Sequence, residues 1–347
     1  MNARAHAAIF VKRQRTGSSS VEITPIMTTL VDCLSPLLTS MKCFGLFFNR
    51  KTCDNLTEGT ARGRWNLSMV HSTVVAVLLW INVIRMFSVF TPQDVFGVDL
   101  FFKLITGMWM LLCAISQSTY FAFSYSGNLD CMLRGMKLGE EFAKYSRKIA
   151  LIYACLAWVV FIMSQLFTIY SVIFTTYMNF ALTPITTHFH VSSLLTLRIL
   201  YLLFSVYLNA SWIFPHAMSF MLARIFAEQY RQLGQAFEQT LNKCDERRLS
   251  DSDIETFREK HLDISVRLNQ ADGFLMFHNA GAFCCQLFNV ILILYILLFF
   301  PSPQNPVVLI MNIFWLLGCF SGLSLTAAGG IMVNCYVSID TNSLLYI

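Results

Sequence analysis

The stretch IALIYACLAWVVFIMSQLFTIYSVIF, Ile149–Phe174, contains no Asp, Glu, Lys or Arg. A bilayer core about 30 Å thick is crossed by roughly 20 apolar residues in a helix, so this run is long enough to span. Counted on to a span end near Tyr177, it is the third of six such runs. The others are Trp65–Ile84, Leu104–Tyr125, Ile199–Ala223, Gly273–Phe300 and Val307–Ile339. In hydrocarbon every backbone N–H and C=O must be bonded within the protein, and single runs of this length achieve that as helices. The expected fold is an all-α polytopic membrane bundle of six transmembrane helices.

The charges between the runs set an orientation. Nine Lys and Arg lie in residues 1–64. The gap after the second span holds Arg134, Lys137, Lys144, Arg147 and Lys148, and the gap after the fourth holds seven more, from Arg231 to Arg267. The alternate gaps have only Arg85, Lys103 and Arg198 at helix ends, and none in Pro301–Pro306. Basic loops stay on the cytoplasmic side. The amino terminus is therefore expected inside, in a multi-pass plasma-membrane protein. The corresponding division is a cytoplasmic segment 1–64, spans 1–4 in 65–224, a cytoplasmic helical hairpin 225–272, spans 5–6 in 273–339, and a cytoplasmic end 340–347. The net charge of +5 sits on loops facing anionic lipid headgroups, so it requires no nucleic-acid partner. A cleaved signal peptide is not expected, because the start is basic and polar without a compact apolar core.

The eleven cysteines fall on inner segments or within spans, none in an outer gap, so all are expected reduced or packed as small hydrophobes. Sequons at Asn55, Asn66 and Asn209 lie inside or within the bilayer and read as decoys. In the hairpin, Phe226, Tyr230, Leu233, Phe237 and Leu241 form one stripe, and Ile254, Phe257, His261, Ile264, Leu268, Ala271 and Phe274 form another. Two such helices pack antiparallel, with His261 in the seam and no role as a metal ligand. Their stripe either closes on itself or also docks other subunits. In span 6, Gly318 and Gly322 make a G-x-x-x-G pair followed by Ala327, Ala328, Gly329 and Gly330, a pattern for close helix packing or, at the adjacent glycines, a hinge. Pro215 removes one backbone hydrogen bond from span 4 and is expected to kink it.

Catalytic signatures are missing: there is no HExxH, P-loop, GxSxG or paired-Cys metal motif, and His188 and His190 form only a lone HxH. No Asp or Glu lies within the charge-free runs to carry protons or coordinate a driving ion, which weighs against a transporter and an enzyme. No cofactor and no metal is expected. A voltage-gated channel fails because span 4 lacks repeated Arg or Lys and the gap between spans 5 and 6 is too short for a filter. A G-protein-coupled receptor fails on orientation, span number and motifs.

The inside amino terminus, short outer loops and helices extending spans 4 and 5 inward resemble the arthropod gustatory receptor family. Local segments are similar as well: Met41-Lys-Cys-Phe-Gly-Leu-Phe-Phe48 before span 1, and Leu268-Asn269 through Phe277-His278-Asn279 into Gly281 and Gln286–Tyr295 at span 5. The resemblance implies a tetrameric ligand-gated cation channel, homomeric or mixed with other receptor subunits. It implies seventh helices lining a pore, a cytoplasmic helical region joining subunits, and a pocket among the outer halves of spans 2–6 for small-molecule tastants. The family's Thr-Tyr…Gln-Phe signature lies in a seventh helix, whereas this sequence ends at Tyr346-Ile347. The expectation is a truncated gene product, a short isoform, or a subunit that relies on complete partners. Within such a pocket the candidates are Tyr170, Tyr177, Tyr201, Tyr207 and Trp212, with Gln165 and Gln286 beside them; lipid-facing or interfacial placement is the alternative. A noncatalytic membrane scaffold or regulatory partner subunit is the competing reading.

Overall fold

The computed structural model describes residues 28–48, 66–90, 97–174, 191–243, 251–299 and 306–345. In chain order its elements are β1 Thr28–Thr29, α1 Leu30–Cys33, α2 Ser35–Cys43, α3 Leu67–Phe87, α4 Val98–Ser126, α5 Asn128–Gly135, β2 Lys137–Leu138, α6 Glu140–Phe174, α7 Val191–Lys243, α8 Asp251–Phe299 and α9 Pro306–Leu345. Six of these, α3, α4, α6, α7, α8 and α9, are long and apolar enough to cross a membrane. They correspond one to one with the six charge-free runs. The only strand pairing among the described residues is β1 with β2, antiparallel and two residues long.

Successive spans run in opposite directions. On α4 and α8, Gly281 meets Ile115 while Phe123 meets Phe274 (ring centroids 4.4 Å). On α6 and α7, Ser164 meets Asn209 and Tyr153 meets Phe220. Helices α7 and α9 run parallel, with Trp212 against Trp315 and Ala223 against Gly329. The end bearing the C-terminus of α4, the N-terminus of α6 and the α7–α8 extensions carries the basic residues; we call it the basic end.

Helix α7 continues 53 residues without a break through Pro215, and α8 is 49 residues. Beyond the spans they stay paired, with the Tyr230 hydroxyl 3.0 Å from Ser265 Oγ, Tyr230 beside His261 and Phe237 edge-on to Phe257. This is the seam that the two apolar stripes describe.

The segment before the first span has a larger role than its charge suggests. Leu30, Leu34, Leu37, Met41 and Leu46 are wholly buried. Phe44 lies within an aromatic cluster with Trp158, Phe161 and Phe214 at 5.3–5.6 Å. The Trp158 indole donates to Ser40 Oγ at 2.9 Å. The chain turns back at Gly45, whose φ of 70° and 3.1 Å clearance to the Ser72 Cα admit no side chain. Cys33 is buried beside the Ala143 carbonyl at 3.6 Å, and burial pushes its thiol pKa up.

One expectation about cysteine fails. Eight described cysteines are free, but Cys131, exposed on α5, is disulfide-bonded. Counting gaps placed every thiol in a reducing compartment or a packed span, and that argument is blind to which thiols the fold brings together.

Candidate functional site

The spans bury polar side chains at three levels. Between α6 and α7, Asn209 accepts from Ser164 Oγ at 2.6 Å and donates to Gln165 Oε1 at 2.7 Å, while Gln165 Nε2 donates to Ser205 Oγ at 2.7 Å. Asn209 has no exposure, so its sequon is unavailable for modification. Nearer the centre, Gln117 of α4 donates to the Gly45 carbonyl at 2.7 Å and accepts from Ser211 at 3.2 Å. His216 and His278 meet edge to face at 5.1 Å, with His278 Nδ1 3.0 Å from Ser116 Oγ. Apart from His278 Nε2, which is buried without a partner, these groups pair with one another or with backbone across helices, which in lipid holds a bundle together.

The third level differs. In the half of the bundle away from the basic end, α4, α6, α8 and α9 enclose a cavity of ≈ 90 Å³. That is well above the roughly 10–15 Å³ one water needs. Phe102, Ile105 and Trp109 come from α4, Phe167 and Thr168 from α6, Asn289 and Ile293 from α8, and Met311, Asn312 and Trp315 from α9. Trp109 and Trp315 meet edge to face at 5.6 Å and form one wall. Three buried polar atoms here have no hydrogen-bond partner: the Trp109 indole nitrogen, the Asn312 amide nitrogen and the Asn289 amide oxygen. Two are donors and one an acceptor. Leaving such a group unpaired costs about 1–3 kcal/mol. All three belong to residues that line this one aromatic-walled cavity. The lining holds no ionisable residue apart from Cys319, so it offers binding and no acid-base chemistry. Among the described residues no group of three His, Cys, Asp or Glu is placed to hold a metal.

The aromatic candidates read from sequence are spread over the bundle. Tyr170 stacks on Phe174 at 5.5 Å near the end of α6. Tyr201 is buried with its hydroxyl unpartnered. Tyr207 sits edge-on to His71, its hydroxyl 3.4 Å from the imidazole. Trp212 packs against Trp315 in a tilted arrangement, ring centroids 5.3 Å apart, and lines a different opening from the cavity. Gln165 belongs to the α6–α7 clamp and Gln286 contacts His216. None of these six lines the cavity, and Tyr177 lies outside the described residues. The G-x-x-x-G pair has a specific use: a Cβ on Gly318 would come within 2.9 Å of the Trp212 ring, and one on Gly322 would strike the Gln286 amide. Sequence reasoning missed Asn289 and Asn312, although each is an amide within an apolar run.

No protein-family model matches the sequence, and no curated protein matches it. Solved structures do. The insect olfactory receptor OR5 from Machilis hrabei in complex with eugenol superposes with a TM-score of 0.61 at 12% identity, covering 85% of this chain and 78% of that one. The same receptor, in a second structure, gives 0.60 at 11% identity, covering 88% and 81%. At this identity the likeness rests on architecture, and the bundle has the fold of an insect-type chemoreceptor.

Proposed function

We propose that this chain is a chemosensory receptor subunit that detects small, uncharged tastants through the cavity between α4, α6, α8 and α9 and couples that binding to a cation current. The observation that carries the reading is the trio of unpaired buried atoms on Trp109, Asn289 and Asn312 inside an aromatic cavity, in a bundle sharing the fold of a receptor solved with eugenol. A compact ring bearing an oxygen and a hydroxyl would meet both donors and the acceptor. In this reading the basic end faces the cytoplasm of a plasma-membrane protein, the amino terminus is inside, and the α7–α8 hairpin joins subunits of a homo- or hetero-tetramer.

The test is expression of the full chain in oocytes, alone and with receptor subunits from the same tissue, and recording of current against a panel of ring-bearing tastants that includes eugenol. The expected result is a ligand-dependent cation current whose half-maximal concentration rises about tenfold in Asn312→Leu, the loss of one hydrogen bond to the guest. Surface expression and assembly without current under both conditions would overturn the channel reading in favour of a scaffold. A response indifferent to Asn312→Leu and Trp109→Phe would overturn the site.

A further inference from the structure

A second opening, ≈ 440 Å³, lies between α6, α7 and α9, with Trp212 in its wall where Trp315, packed against it, lines the cavity above. Its walls are apolar, aliphatic and aromatic, apart from Tyr153, His216, Ser321 and Gln286, and two of the wall residues, Leu156 and Leu317, are 53% and 59% exposed. At this level of a spanning helix exposed means lipid-facing, so the groove opens sideways into the bilayer. Its lining holds no Asp, Glu, Lys or Arg.

At the groove's floor is the amide of Gln286, itself 1% exposed. His216 Nδ1 lies 2.6 Å from the Trp212 carbonyl oxygen, which only accepts, so Nδ1 carries the proton and Nε2 is left with its lone pair. Gln286 Nε2, at 2.7 Å, donates to it. That fixes the orientation of the amide and leaves Gln286 Oε1 a buried acceptor without a partner. Gly322 borders this amide, and any side chain there would close the way to it.

We infer that the groove is a binding site for a membrane-dissolved alcohol, an apolar molecule with one hydroxyl. Its body lies along the apolar walls and its O–H donates to Gln286 Oε1. The class follows from the site: a lone acceptor demands a donor, a lining without ionised groups demands an uncharged ligand, and lateral access demands one that partitions into lipid. This site is separate from the tastant cavity and does not depend on the receptor reading.

The experiment uses the full chain in lipid nanodiscs, a diazirine-bearing dodecanol as photoprobe, and mass spectrometry of the labelled peptides. Label is expected on the peptides holding Leu156, Ile213 and Leu317. Excess 1-dodecanol is expected to suppress it, while dodecyl methyl ether, which accepts but cannot donate, suppresses it five- to tenfold less effectively, the worth of roughly one neutral hydrogen bond. Gln286→Leu should erase that difference. Leu317→Trp, at an exposed wall position that leaves Gln286 in place, should abolish the label and covers the case in which Gln286→Leu does not fold. Equal competition by ether and alcohol, or label that persists in Leu317→Trp, would overturn the inference, whatever the outcome of current recordings.

Discussion

Replacing Asn209 with Leu, which keeps the branched shape and removes both polar atoms, cuts the α6–α7 clamp at its centre. Two bonds go at once: the one accepted from Ser164 Oγ (2.6 Å) and the one donated to Gln165 Oε1 (2.7 Å). They do not weigh equally. Ser164 can turn its hydroxyl to a carbonyl of its own helix, whereas Gln165 Oε1 loses its donor where no water is at hand. Interhelical hydrogen bonds in membrane proteins average about 0.6 kcal/mol and reach about 1.7, so Asn209→Leu should cost about 1–3 kcal/mol. Gln165→Met removes the same shared bond together with those to Ser205 Oγ (2.7 Å) and the Leu202 carbonyl (3.3 Å). The double variant therefore should lose less than the sum of the singles, by about 0.6–1.7 kcal/mol, the worth of the Asn209–Gln165 bond counted twice. The assay is unfolding of the purified chain in mixed micelles by titration with SDS, followed by circular dichroism, for the wild type, both singles and the double. Strict additivity would mean that the two amides do not hold each other, and the clamp would be only an accidental proximity.

Three further outcomes are expected. Phe44→Ala empties the centre of the cluster with Trp158, Phe161 and Phe214 and should destabilise by about 3–5 kcal/mol; a loss under about 1 kcal/mol in the same assay would show that the segment is only loosely seated. Gly318→Ala and Gly330→Ala should move the melting temperature in opposite directions, because a Cβ at Gly318 lies 2.9 Å from a Trp212 ring backed by Trp315, whereas one at Gly330 meets nothing within 4 Å and gains up to about 1 kcal/mol of helix propensity. Arg231 beside Glu228 (2.7 Å) holds that carboxyl below its ordinary value, so its stabilisation is present above the unfolded pKa of about 4.3 and is lost as pH falls through the folded one. The melting temperature of Glu228→Gln should accordingly fall less on acidification than that of the wild type, and parallel pH profiles would refute the pairing.

The six spans were legible because hydrocarbon imposes a demand on each one separately: a run free of charge and long enough to cross is recognisable without knowing its neighbours. The α7–α8 seam was legible for a similar reason, since Tyr230, Phe237, Phe257 and His261 obey a local period. The burial of Leu30–Phe48 was not. Its two helices, four and nine residues long, are too short to show a period or to read as a span, and what encloses them comes from α4, α6 and α7, far along the chain. The cavity was half legible. Asn289 and Asn312 stand out as amides in apolar runs, but that they converge with Trp109 depends on the rotation of three helices about their axes, which no linear pattern records. Aromatic residues alone misdirect in such a chain, because Trp and Tyr serve lipid boundaries and helix seams as readily as pockets.

The seating of Met41–Phe48 also constrains the order in which the molecule can be assembled during synthesis. Phe44 rests on Phe214, and the Gly45 carbonyl is held by Gln117, so the earliest of these residues to leave the ribosome must wait for partners translated 72 positions later in Gln117 and 170 positions later in Phe214. Until α7 has entered the bilayer, Leu30, Leu34, Leu37 and Met41 are uncovered apolar surface on a tethered strand. The bundle cannot mature one span at a time from its beginning; its first segment docks late, as a keystone set after the arch.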